Sequence, residues 1–106
     1  FTYIDDAVEA FLLAAESEEA NGKLYNLGGE KVISLKETAD ILVEAGGGGE
    51  YATREFPADR KRIDIGDYYA DYFAIQSALG WMPRTRLRDA FAKTLAFYRE
   101  NLKHYL

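Results

Sequence analysis

The sequence predicts an α+β domain of about four helices and two or three short strands. Three observations carry this. "SLKETADILVEA" (34–45) begins with Ser34 followed three residues later by Glu37, a capping box in which each side chain satisfies an unpaired amide of the first turn. Leu87, Phe91, Leu95, Tyr98, Leu102 and Tyr105 recur at steps of three and four, the period of a helix face. "KLYNL" (23–27) and "EYATREF" (50–56) are short runs closed by Gly28–Gly29 and by Pro57, as strands are.

Taken in order, "FTYID" (1–5) is an extended lead-in. Asp5 or Asp6 can cap a helix over 6–16, where Val8, Phe11, Leu12 and Ala15 form one apolar stripe. "SEEANG" (17–22) is a polar turn ending in Asn-Gly. After the first strand and the 34–45 helix, Gly46 to Gly49 stop the chain from continuing as helix. A loop over 59–71 follows the second strand. Asp71 is placed to cap a short helix over 72–79, Gly80 ends it, and "WMP" (81–83) turns the chain. Thr85 can cap the last helix, 86–104. No repeat and no linker divides the chain, so 1–106 reads as one domain.

Composition narrows the function. With 48% hydrophobic and 14% aromatic residues the chain can pack a core, which excludes a disordered segment. The net charge of -5 argues against a nucleic-acid partner, whose binders carry a basic excess. There is no cysteine, and the single histidine, His104, has no companion ligands, so no metal site is expected. No apolar run approaches the ~20 residues of a membrane span. The sequence starts in mid-phrase without an initiator methionine, and is expected to be part of a longer cytoplasmic protein.

No catalytic constellation is visible. "LGGEKVIS" fails the dinucleotide fingerprint because strand-like residues, not a helix start, follow its glycines. "GGGG" comes after a helix, not before one. There is no G-x-S-x-G elbow and no Tyr-x-x-x-Lys pair. One stretch does invite chemistry: "DRKRIDIGDYYAD" (59–71), three adjacent cations in an acidic chain. Arg60 and Arg62 can grip a diphosphate in bidentate fashion, with Lys61 adding a point charge. Asp64 can accept from sugar hydroxyls, and Tyr68 and Tyr69 can form walls. The same residues can equally be a solvated loop neutralised by its own acids. The cations of the last helix read as its polar face.

Four phrases in order carry a resemblance. "FTYIDDAVEAF", "GKLYNLGG", "ISLKETADIL" and "DYYADYFAIQSALGWMPRTRLRDAF" resemble the C-terminal part of extended short-chain dehydrogenases/reductases of the NAD-dependent epimerase/dehydratase family. The resemblance covers the whole chain. It implies a nucleotide-sugar-binding domain of an isomerase-like enzyme, without the Rossmann core that holds NAD(P) and the catalytic residues. None of those residues is expected in this chain. In register with Tyr69–Asp71, the family's Arg-x-x-Asp motif places its aspartate on Asp64 and its arginine on Lys61, with Arg60 and Arg62 adjacent. Those cations are implied to meet the diphosphate, Asp64 the ribose, and Tyr68 the sugar pocket. Asp6 matches a family aspartate whose plainest role is helix capping. The implied partner is a nucleotide-diphosphate sugar, and self-association through bared apolar surface is expected. An assembly module of related fold, without a nucleotide ligand, is the alternative.

Overall fold

A computed structural model describes all 106 residues, Phe1 to Leu106. It is all-helical: α1 (Ile4–Glu16), α2 (Leu35–Gly46), α3 (Ala58–Lys61), α4 (Phe73–Leu79) and α5 (Leu87–Asn101), with 3₁₀ turns at Glu18–Ala20 and Leu102–His104. The expected strands are absent. No backbone–backbone hydrogen bond involves residues 24–33 or 49–56, so neither "KLYNL" nor "EYATREF" has the ladder that defines a strand. What replaces pairing is close approach. A Cβ at Gly28 would fall 2.5 Å from the Ala70 carbonyl oxygen, and one at Gly29 2.5 Å from that of Phe1. The segments around 1, 28 and 70 therefore lie backbone against backbone, at a separation only glycine allows.

The helices form where the sequence places them, within a few residues. Ser34 Oγ accepts from Glu37 N at 3.1 Å and Glu37 accepts from Ser34 N at 2.7 Å, completing the capping box. At the other end Gly47 turns left-handed, φ 77°, and the amides of Gly47 and Gly48 return to the carbonyls of Glu44 and Val43, the two bonds of a Schellman motif. Asp71 Oδ1 accepts from Phe73 N at 2.7 Å, as expected for the start of α4. The 59–71 loop carries one unexpected turn, α3.

Two groups of helices share the work. In the first, Ala10 of α1, Ile75 of α4 and Trp81 make the core, with Leu13, Tyr25, Leu27, Tyr72 and Leu79 packed round it. Trp81 is 1% exposed and meets the Tyr72 ring edge-on at 5.9 Å. In the second, α2 lies against α5. Arg88 pairs with Glu44 at 2.9 Å, and Arg99 donates to the Gly46 carbonyl at 2.7 Å. Arg84, paired with Glu9 at 3.3 Å, and Lys93, 5.2 Å from the centre of the Tyr3 ring, tie α5 and its approach back to α1 and its lead-in.

Two expectations about α1 are corrected. Neither Asp5 nor Asp6 caps it; the helix begins after Tyr3 with no side-chain cap. Asp6 is buried, and its carboxylate accepts from Thr85 N and Thr85 Oγ1, both at 3.0 Å, while its carbonyl accepts from Trp81 Nε1 at 2.8 Å. Thr85 is thus spent on Asp6 and does not cap α5. Anchoring at Asp6 turns Asp6, Ala10 and Leu13 inward, and the apolar stripe Val8, Phe11, Leu12 faces solvent.

The exposed segment after α2 is tethered at one point. Tyr51 donates its hydroxyl to Asp40 at 2.5 Å, and Lys36 donates to the other carboxylate oxygen at 3.0 Å. The Tyr51 hydroxyl, and then Lys36, hold the Asp40 carboxyl below its ordinary range; Asp40 in turn raises Tyr51 and Lys36. The Ser34 amide and hydroxyl likewise lower Glu37.

Two outcomes follow from these contacts. Asp6→Ala strands the partly buried Thr85 donors and should lower the unfolding free energy by about 1–3 kcal/mol. Urea titration of the lone tryptophan's fluorescence measures it, and an unchanged midpoint would show that the clamp stabilises nothing. For the Tyr51 tether the sign is set at each end. The lowered Asp40 contributes above its unfolded pKa and loses that contribution as pH falls through its folded value. The raised Tyr51 and Lys36 contribute below theirs and lose it as pH rises through their folded values. The tether should hold between the ordinary carboxylate and phenol values, from about pH 4 to 10, and loosen beyond them on both sides. The ring shifts of Tyr51, followed by NMR, should show both limbs. Asp40→Asn should erase the acid limb and bring the tyrosine titration down towards its ordinary value.

Candidate functional site

The cationic stretch is organised by α3. Pro57 starts the turn, its carbonyl accepting from Arg60 N and Lys61 N at 3.1 and 3.0 Å. The Arg60 carbonyl then accepts from Ile63 N and Asp64 N at 3.0 and 3.1 Å, which folds Asp64 back beneath Arg60. Arg60, Lys61 and Arg62 are successive residues of one turn, so their side chains leave the axis about 100° apart. None of the three is ion-paired with Asp64 or any other acid; the ion pairs are Lys36–Asp40, Arg84–Glu9 and Arg88–Glu44. All residues from 47 to 69 are exposed.

The concavities lie elsewhere, at the meeting point of the chain start, the Gly28–Gly29 segment and the approach to α5. One, of about 320 Å³, is lined by Thr2, Leu27, Gly28, Lys31, Tyr68 and Tyr69, among others. A second, of about 400 Å³, shares Phe1, Thr2, Gly29, Lys31 and Ile33 with it and runs on to Arg86. Of the five residues singled out from sequence, Tyr68 stands at a cavity; Arg60, Lys61, Arg62 and Asp64 line neither of these two.

Sequence reasoning missed Lys31 and Arg86, the two cations that do reach these cavities. No local signal joins them, since they are 55 positions apart; Arg86 sits among the cations of 84–88, which read as the polar face of the last helix, and Lys31 follows Glu30 in an ordinary turn-like stretch. The second cavity also has acids, but three are already engaged: Asp6 with Thr85, Glu37 with Ser34, Asp40 with Tyr51 and Lys36. Its remaining charged side chains are Lys31, Arg86 and Glu30. Its lining is aromatic at Phe1 and Tyr3 and includes Gly29, whose backbone lies close to that of Phe1.

This arrangement can bind and orient. It holds cationic donors for an anion and flat apolar faces for a ring. It contains no histidine and no serine paired with a base, and no group of three His, Cys, Asp or Glu side chains is placed to hold a metal ion. No helix is long and apolar enough to cross a membrane.

No family model matches the chain, and no solved structure matches it. Curated proteins do. A dTDP-glucose 4,6-dehydratase of Streptomyces griseus is 34% identical over 99 residues, covering 93% of this chain and 29% of that protein. A UDP-D-apiose/UDP-D-xylose synthase of Oryza sativa subsp. japonica is 31% identical over 127 residues, covering 100% of this chain and 31% of that protein. A second dTDP-glucose 4,6-dehydratase, from an Actinoplanes strain, is 36% identical over 100 residues, covering 93% and 30%. The chain therefore spans about 30% of the length of the curated relatives it matches. Those relatives are members of the extended short-chain dehydrogenase/reductase family that the sequence resembles, and this chain is similar to them along nearly all of its own length.

Proposed function

We propose that this chain is the C-terminal, substrate-binding part of a longer cytoplasmic NAD-dependent enzyme that dehydrates or epimerises a nucleotide-diphosphate sugar. The observation that carries the reading is the match, over 93–100% of the chain, to enzymes named for such sugars. NAD(P) and the catalytic residues would belong to the remainder of the protein. That fits a chain with no dinucleotide fingerprint and no Tyr-x-x-x-Lys pair.

In this reading the 60–62 cations meet the diphosphate, Asp64 accepts from the ribose, and Tyr68 forms a wall of the sugar pocket. Lys31, beside Tyr68 at the same cavity, is a further cation for the phosphates. Contacts far from the reacting carbon matter because binding energy realised there holds the sugar in line with the nicotinamide. The chain's role is positioning.

A second reading is an assembly module of related fold without a nucleotide ligand. One observation favours it: Arg60, Lys61 and Arg62 are exposed and line neither of the two cavities at the chain start.

Calorimetric titration separates the two. UDP, dTDP or GDP should bind at least about tenfold more tightly than pyrophosphate. Lys61→Ala and Lys31→Ala should each weaken that binding by roughly 10- to 100-fold, the span of a charge-assisted hydrogen bond. Asp64→Asn should narrow the gap between nucleotide and pyrophosphate. Nucleotides that bind no better than pyrophosphate would leave the assembly module as the better account.

A further inference from the structure

Residues 50–66 cross from the end of α2 towards the junction at Ala70 with one polar anchor. Every residue of the stretch is exposed. Its backbone hydrogen bonds are internal, confined to the turn of α3 and its exit at 57–64. None of its charged side chains is in an ion pair. What holds it to the body is the Tyr51 hydroxyl, set on the Lys36–Asp40 pair of α2. Beside that bond the stretch stands off α2 over a gap of about 360 Å³, lined by Asp40, Glu44, Gly49 and Glu50, among others.

Both ends of the stretch are free to turn. Gly49 (φ 117°) and Gly66 (φ 71°) hold backbone angles that a side chain resists, and a Cβ at either would meet nothing within 4 Å. Rotation at these two positions disturbs no packed neighbour and carries α3 with it. Arg62 lies four residues before Gly66, an extended span of ~13 Å. Tyr68, two residues after Gly66, already walls the cavity of about 320 Å³. The cations of α3 are therefore within reach of that cavity without lining it.

Charge sets the direction of the swing. Lys31 is the one charged side chain at the cavity. By itself it repels Arg60, Lys61 and Arg62, and the Tyr51 bond acts with that repulsion to hold them away. Asp59 and Asp64 share the turn and temper the repulsion, without pairing with any of the three. An anion of two or more charges beside Lys31 reverses its sign.

We propose that residues 50–66 are a strap latched open by Tyr51 on Asp40 and closed by the ligand. A diphosphate held at Lys31 draws Arg60, Lys61 and Arg62 over the cavity, and Tyr51 leaves Asp40 as the strap swings. This rests on the reading of the cavity as an anion site, and it goes further by giving control of that site to a positioning residue that touches no ligand. The latch opposes closure, so it lowers the apparent affinity by the fraction of molecules it keeps open.

The chain has one tryptophan, Trp81, and no cysteine, so Ala58→Cys in α3 accepts a single dansyl group that reports its distance from Trp81. Saturating pyrophosphate should change the transfer efficiency. Tyr51→Phe should bind pyrophosphate about three- to tenfold more tightly, with the same efficiency at saturation. Unchanged Trp81 emission before the dansyl group is attached shows that the variant is folded. A second measurement needs no variant at Tyr51: Asp40 raises the Tyr51 phenol, and saturating pyrophosphate should bring its NMR titration down towards the ordinary value. Pyrophosphate that binds without changing the transfer efficiency overturns the strap and leaves the anion site standing. A Tyr51→Phe affinity equal to or weaker than that of the parent chain, or a Tyr51 titration that pyrophosphate leaves in place, overturns the latch. Absence of any pyrophosphate binding overturns the anion site and the strap together. Closure by pyrophosphate with no preference for nucleotides upholds the strap without the sugar-nucleotide reading.

Discussion

Asp6 fixes the arrangement of this chain. One residue on the first turn of α1 reaches across the sequence to 81 and 85, holding the Trp81 indole by its carbonyl and both Thr85 donors by its carboxylate. A carboxylate out of water survives only with its hydrogen-bonding capacity filled, and here backbone and hydroxyl donors fill it. The bond to Trp81 seats the largest side chain of the core against α1. The bonds to Thr85 set the angle at which the chain enters α5, and α5 then carries α2. Both groups of helices are thus referred to a single residue.

The same anchor explains why α1 cannot be read from hydropathy. Its most apolar stripe, Ile4, Val8, Phe11 and Leu12, is the natural choice for the core side, but the burial of Asp6 rotates that stripe into solvent. Period alone identifies a face without saying which neighbour it meets. Where the controlling interaction is local, sequence and structure agree: the Ser34–Glu37 box, the stop at Gly47 and the Asp71 cap each lie within five residues of their partners. The strands failed for the opposite reason. A strand exists only through a second strand, and "KLYNL" and "EYATREF" find none within these residues.

The site divides along the same line. Charge runs are conspicuous in sequence, but consecutive residues on a turn point apart, so adjacency at 60–62 does not produce convergence. Convergence comes from chain-distant residues. Lys31 and Arg86 reach one cavity because Gly29 lets its segment lie against Phe1, and because Thr85 is pinned to Asp6 one residue before Arg86. Tyr68 lines the neighbouring cavity because it precedes Ala70, which the close approach at Gly28 draws into the same junction.

Phe1 lines both of these cavities and the apolar groove beside α5, and Ile4, three residues on, begins the outward face of α1. The chain-start segment is thus common to the cavities and the groove, and the bonds of Asp6 to Trp81 and Thr85 fix where that segment lies against the approach to α5.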